Sequence, residues 1–201
     1  MAVSLTNLPL PWTATPSLID YGVDQTAGSG GAQSRATRVG SRWAVKFSTL
    51  PDLSWADAQP FLAARLAAQA AGETVSCAWP QLPFSTAIGA PVVNGAGQGG
   101  NSLVVSGLTA NTTALVAGLW FSMSIGGRGY LYQLTAGATV DGSGNATLSI
   151  APWIRAAPAG GEALNFAAPA IEGFLDRPGL DWTLTMQAWV GLPAFLITEI
   201  A

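Results

Sequence analysis

The stretch PVVNGAGQGGNSLVV, residues 91–105, decides between two fold classes. Gly95, Gly97 and Gly100 have the G-x-G-x-x-G spacing of a dinucleotide-binding loop, which would announce an α/β domain. Such a loop needs a helix after the glycines, so that its N-terminal amides meet the pyrophosphate, and an acid about 20 residues further on for the ribose. Here Gly100 is followed by Asn101-Ser-Leu-Val-Val-Ser-Gly107, an alternating β-branched run, and no Asp or Glu stands between Glu73 and Asp141. The glycines therefore read as a broad turn between two strands.

Upstream, Trp43, Val45 and Phe47 alternate with Arg42, Ala44 and Lys46, the pattern of a half-buried strand. Pro51 closes it. Ser54-Trp-Ala-Asp57 then offers an N-cap serine with an acid three residues on, ahead of an Ala/Leu/Gln-rich segment ending at Gly72. This predicts one helix over about 54–71, with Trp55, Ala58, Leu62, Leu66 and Ala70 on its docking face. Pro60 lies past the first turn and predicts a kink or a tight first turn. Residues 1–40, with Pro9, Pro11, Pro16 and the run AGSGGAQS (27–34), read as a terminal arm and a long connection.

Downstream, strand patterns occupy 74–79, 102–108, 115–125, 130–135, 146–150 and 181–190. Gly126-Gly127-Arg128-Gly129 and DGSGN (141–145) are hairpin-like connectors among them. The chain reads as mainly β: a β-sandwich with one docked α-helix and an inserted antiparallel β module. Prolines and the run AAPAGGE (156–162) bound that module to about 89–167.

The totals narrow the function. Of 201 residues 49% are apolar but only 9% charged, against roughly 25% in ordinary soluble domains. Much of the surface falls to Ala, Gly, Ser, Thr and Asn, and part of it is expected to be covered by other subunits. A net charge of −3, with the cations scattered from Arg35 to Arg177, opposes nucleic-acid binding. The longest apolar run, near 61–71, is broken by Arg65 and Gln69, so no membrane span is expected. The start, MAVSLTNLPLPW, has no charged region ahead of an apolar core, and the expectation is a protein made in a cytoplasm.

With no histidine and one cysteine, Ser-His-Asp and Cys-His catalysis, a Cys/His zinc site and an internal disulfide are all excluded. Cys77, alternating with Val75 and Trp79, reads as a small buried hydrophobe. Asp141-Gly-Ser143-Gly-Asn145 resembles the first half of a calcium loop, but its twelfth position is Pro152, and a hairpin turn is the better reading. Asp20, Asp24, Asp52, Asp57, Glu172, Asp176 and Asp181 could supply a carboxylate pair, yet no spacing selects one. The expectation is no enzyme, no cofactor and no metal. Aromatic faces can stack on sugars, and Trp120, Tyr130, Tyr132 and Trp153 in the β module are the candidate saccharide contacts. They make a carbohydrate- or receptor-binding module the alternative function.

Three segments taken together carry a resemblance: RATRVGSRWAVKFSTLPDLSWADAQPFLAARLAAQAAGE (35–73), VVNGAGQGGNSLVVSGL (92–108) and LYQLTAGATVDGSGNATLSIAPWIRAAPAGGE (131–162). In their order and spacing the chain resembles the distal tail proteins of long-tailed bacteriophages and related tail-like particles. The resemblance implies a ring, six-fold as a rule, formed by 1–88 and 168–201 at the end of the tail tube. The ring would join the tube protein to the baseplate hub or tip. The insert 89–167 would face outward, where it could touch a host-surface glycan. The protein would reside in the virion tail tip after synthesis in the host bacterial cytoplasm. No catalytic residues come with the resemblance.

Overall fold

The computed structural model describes residues 2–5, 12–26, 28, 30–49, 53–81, 88–112, 114–176, 183–184, 189–192 and 194–200. In chain order the elements begin with β1 (Val3–Ser4), β2 (Trp12–Ile19), β3 (Val23–Gln25), β4 (Ser34–Ala36), β5 (Arg42–Thr49), β6 (Leu53–Ser54), α1 (Trp55–Ala71) and β7 (Val75–Ala78). Then come β8 (Gly89–Val93), β9 (Gly100–Leu108), β10 (Trp120–Ile125), β11 (Arg128–Leu134), β12 (Ala146–Ile154) and β13 (Leu164–Asn165). The chain closes with β14 (Ala170–Leu175), β15 (Thr183–Leu184), β16 (Trp189–Gly191) and β17 (Phe195–Glu199).

Two six-stranded sheets dominate. The first has the order β1-β7-β14-β17-β5-β2 and draws its strands from both ends of the chain. The second has the order β13-β10-β11-β12-β9-β8 and is built wholly from residues between 89 and 165. The second sheet curls until its outer strands meet: Val92 bridges Ala163, and Val93 N–H donates to Glu162 O at 2.9 Å. Closure removes both exposed edges, which suits a module with few charges to protect them.

Alternation explains the barrel interior. In β12, Ala146, Leu148, Ile150, Pro152 and Ile154 are buried while Thr147 and Ser149 are exposed, so one row fills the barrel and the other meets solvent. Phe121, Met123 and Ile125 of β10 and Tyr130, Tyr132 and Leu134 of β11 join that core. Leu131 points the opposite way yet is 0% exposed, because there the barrel wall lies against the first sheet.

The first sheet buries Trp43, Val45 and Phe47 of β5, Val75 and Cys77 of β7, Ile171 of β14, and Phe195 and Ile197 of β17. Of residues 42–47 the row Trp43, Val45 and Phe47 is buried as expected, while Ala44 on the opposite face is buried as well. The strand lies inside the sheet, flanked by β2 and β17. Helix α1 packs over one end of this sheet, where Phe61 meets Phe195 at 5.5 Å and Phe195 meets Phe47 at 5.4 Å between ring centroids. Burial pushes the Cys77 thiol up to about 12. Native protein at pH 8 is therefore expected to resist a thiol reagent, and to react stoichiometrically once unfolded in guanidinium, as a colorimetric thiol assay would read.

The helix starts as the sequence indicates. Ser54 is the N-cap and its Oγ accepts from Asp57 N–H at 3.3 Å, while Gly72 ends the helix at φ 65°. One expectation changes. The helix spans Trp55–Ala71 with Pro60 inside it, and its buried stripe is Ala58, Phe61, Leu62, Arg65 and Ala68. Trp55 and Leu66, expected on the docking face, are 38% and 44% exposed. Phe61 decides the rotation: its ring reaches Phe195, and the Arg65 guanidinium lies over the same ring at 5.2 Å.

Elsewhere the strand reading shifts in detail. Residues 115–119 are turn and loop, and strand begins at Trp120. Of 181–190, residues 181–182 and 185–188 lie outside the described residues, and the rest contributes β15 and part of β16. Within the segment read as an arm, β2 pairs with β5 along its whole length, with the N–H-free Pro16 on this edge strand. Beyond it, β3 and β4 form an exposed hairpin.

Gly173 marks the closest approach of two strands. A Cβ there would collide with the Thr198 carbonyl of β17 and lie 2.9 Å from Glu199 N. Gly173→Ala is expected to cost at least the ~1–3 kcal/mol of core overpacking, since backbone must move. Gly28→Ala, which meets nothing within 4 Å, is expected to leave the melting temperature unchanged; paired thermal melts check both.

Candidate functional site: the junction of barrel and sheet

Buried polar and aromatic groups gather where the barrel meets the first sheet. Three tryptophans from distant parts of the chain meet there. The Trp120 ring lies 4.8 Å from that of Trp43 and 4.3 Å from that of Trp79, both tilted contacts. Gln81 fixes their backbone: its Oε1 accepts from Trp120 N–H at 2.8 Å, and its Nε2 donates to Phe166 O at 2.6 Å and Trp120 O at 3.1 Å. The amide thus serves as a short piece of strand between the two bodies. Beside it runs an open groove lined by Ala14, Trp79, Pro80, Gln81 and 116–120.

Deeper in the junction sits an ion pair. Arg155 Nη2 lies 2.9 Å from Glu199 Oε2, and the two side chains are 3% and 1% exposed. Glu199 also accepts Trp43 N–H on Oε2 at 2.8 Å and Leu131 N–H on Oε1 at 2.7 Å. Burial pushes its carboxyl above the usual range, against the pull of Arg155 and the two N–H groups. Glu172 makes a second such contact, accepting Gly129 N–H at 2.7 Å and the Thr74 hydroxyl at 3.1 Å.

The four aromatic candidates for sugar contact do not form one platform. Tyr132 is fully buried and stacked on Phe121 at 5.6 Å, and burial raises its hydroxyl pKa. Tyr130 is 6% exposed beneath the Arg155 guanidinium, 5.1 Å from its ring centre. Both are corrected to core residues: their inward parity on β11 hands the ring faces to other side chains, leaving none for a pyranose. Trp120 and Trp153 are half-buried, the first within the tryptophan cluster.

The carboxylates hold turns, caps and contacts. Asp20 and Asp24 share Arg35 at the exposed hairpin stem, Asp57 accepts the hydroxyl of the N-cap Ser54 at the start of α1, and Glu162 accepts Ala159 and Gly160 N–H. Asp141 spends Oδ1 on Ser143 and Asn145 N–H, each at 2.8 Å, and these bonds hold its carboxyl below the usual range. Asp52 and Asp181 lie outside the described residues. Among the described residues no three His, Cys, Asp or Glu side chains are grouped to hold a metal ion.

The glycine stretch 91–105 joins β8 to β9, strand to strand. Its turn is organised by Gln98, which accepts Val104 N–H at 2.6 Å and donates to Val104 O at 3.1 Å. A strand, β9, and not a helix follows these glycines, so the strand–loop–helix arrangement of a phosphate cradle is not formed by this stretch.

Sequence reasoning missed Glu199, Arg155 and Gln81. One signal was available: Glu199 continues the alternation of Phe195 and Ile197, so an acid stands in a buried row. Its partner and the role of Gln81 depend on distant segments meeting. Among the described residues no helix is long and apolar enough to cross a membrane. No protein-family model matches the chain, and no curated protein matches it.

Proposed function

We propose that the chain is a structural subunit of a bacteriophage tail, forming a ring at the distal end of the tail tube and joining the tube to the baseplate hub or tip. The resemblance of segments 35–73, 92–108 and 131–162 suggests this role. The observation that carries it in the fold is the segment 18–39. Its stem is fixed by Asp20, which accepts Gly22 N–H at 2.7 Å and the Ser41 hydroxyl at 3.1 Å, and by Arg42, which donates to the Tyr21 hydroxyl at 2.7 Å. Yet Leu18, Tyr21, Val23 and Val39 are each more than 40% exposed. A hydrogen-bonded stem carrying uncovered apolar side chains is the signature of a surface that a neighbour completes.

In this reading the partners are further copies of the chain, six as a rule, with the tube protein on one side and the hub on the other. The protein works by shape and contact, without catalysis or cofactor. A glycan contact on the barrel is the alternative, and with Tyr130 and Tyr132 in the core it rests on Trp120 and Trp153. Gold-labelled antibody against the chain is expected to decorate the tail end of intact particles. Label confined to the head, or to no particle, would overturn the proposal.

A further inference from the structure

Strand β11 has an unusual flank. It pairs with β10 from Arg128 to Gln133, but with β12 only at Gln133 and Leu134. Alternate N–H groups of a strand point to the same side, so Gly129 and Leu131 direct theirs to the flank that β12 has left. Both are taken by carboxylates of the first sheet: Gly129 donates to Glu172 of β14 and Leu131 to Glu199 of β17, each at 2.7 Å. Gly129 permits this approach, since a Cβ there would lie 3.2 Å from Glu172 Cβ. Arg155, just past β12, adds its bond to Glu199.

The chain passes between the two bodies at two neighbouring points. Trp79 N–H donates to Pro169 O at 2.7 Å, and Gln81 bonds Phe166, so the outgoing and returning segments lie side by side. A body joined through adjacent segments can rotate about them as a hinge. We infer that Glu172 and Glu199 form a clasp on β11, and that the barrel swings as a unit about the Trp79–Pro169 crossing when the clasp is opened. Side-chain carboxylates suit a reversible clasp. Opening it breaks no strand ladder, and both carboxylates regain water, while the exposure of Leu131 and Trp120 drives reclosure. The device belongs to the single chain and stands apart from the ring reading.

The test places spin labels at Thr13→Cys on the sheet and Thr147→Cys on the barrel, both exposed, with Cys77 buried and unlabelled. The parent chain is expected to give one narrow distance distribution, and Glu172→Ala with Glu199→Ala a broad, longer one. The methyl signals of Leu148 and Ile150 should stay unchanged, because the barrel core is intact. A distribution that stays narrow, or a barrel core lost together with the sheet, overturns the clasp. A second variant, Gly129→Cys with Glu172→Cys and Glu199→Ala, sets two sulfurs on carbons close to the roughly 3.5–4.5 Å separation of a disulfide. Its radius of gyration by X-ray scattering is expected to increase on reduction; an unchanged radius overturns the swing.

Discussion

Glu199→Ala is expected to destabilise the protein by about 3–5 kcal/mol, the cost of breaking a buried ion pair from one side. Arg155 would be left charged at 3% exposure, and the Trp43 and Leu131 amides would lose their acceptor. For a chain of this length the melting temperature should fall by about 6–20 °C, read by calorimetry. A fall below about 2 °C would mean that the junction carries little of the stability. The pair also sets a pH dependence. Since burial holds the Glu199 carboxyl above its ordinary 4.5, the folded protein binds this proton more tightly than the unfolded chain. Its stabilising contribution is complete below that ordinary value and is lost as pH rises through the raised one. Glu199→Gln is expected to flatten this slope in denaturation midpoints measured from pH 4 to 8.

The second large effect concerns the helix. Phe61→Ala is expected to cost about 3–5 kcal/mol, because the ring is 2% exposed and joins α1 to Phe195. Leu66→Ala, on the face first assigned to docking and 44% exposed, should change stability by no more than about 0.5 kcal/mol. Urea midpoints for the two variants distinguish the stripes. A larger loss at Leu66 would restore the original face.

Much of this fold is legible in local pattern, and the limits are physical. The alternation of residues 42–47, the Ser54 cap and the β-branched run after Gly100 each depend on near neighbours, and each yields the expected element. The helix stripe is not legible in the sequence, because Trp55 and Leu66 match Phe61 in apolarity and only the position of Phe195 separates them. Strand β2 resembles an arm in sequence because Pro16 interrupts its pattern, while its pairing is set by β5 more than twenty residues away. The tyrosines of β11 show the same limit at the site: alternation predicts that they share a face, but the closure of the barrel makes that face the interior. The surroundings of Glu199 need β5, β11, β17 and the residue after β12 to converge, information that no short window holds.

The central claim, that this chain builds a ring, is tested most directly by native mass spectrometry of the purified protein over a wide concentration range, with negative-stain images of the same samples. Closed rings of identical copies, six as a rule, are predicted, and Tyr21→Ser with Val23→Ser is expected to shift them toward monomer. Monomers alone at every concentration would contradict the account.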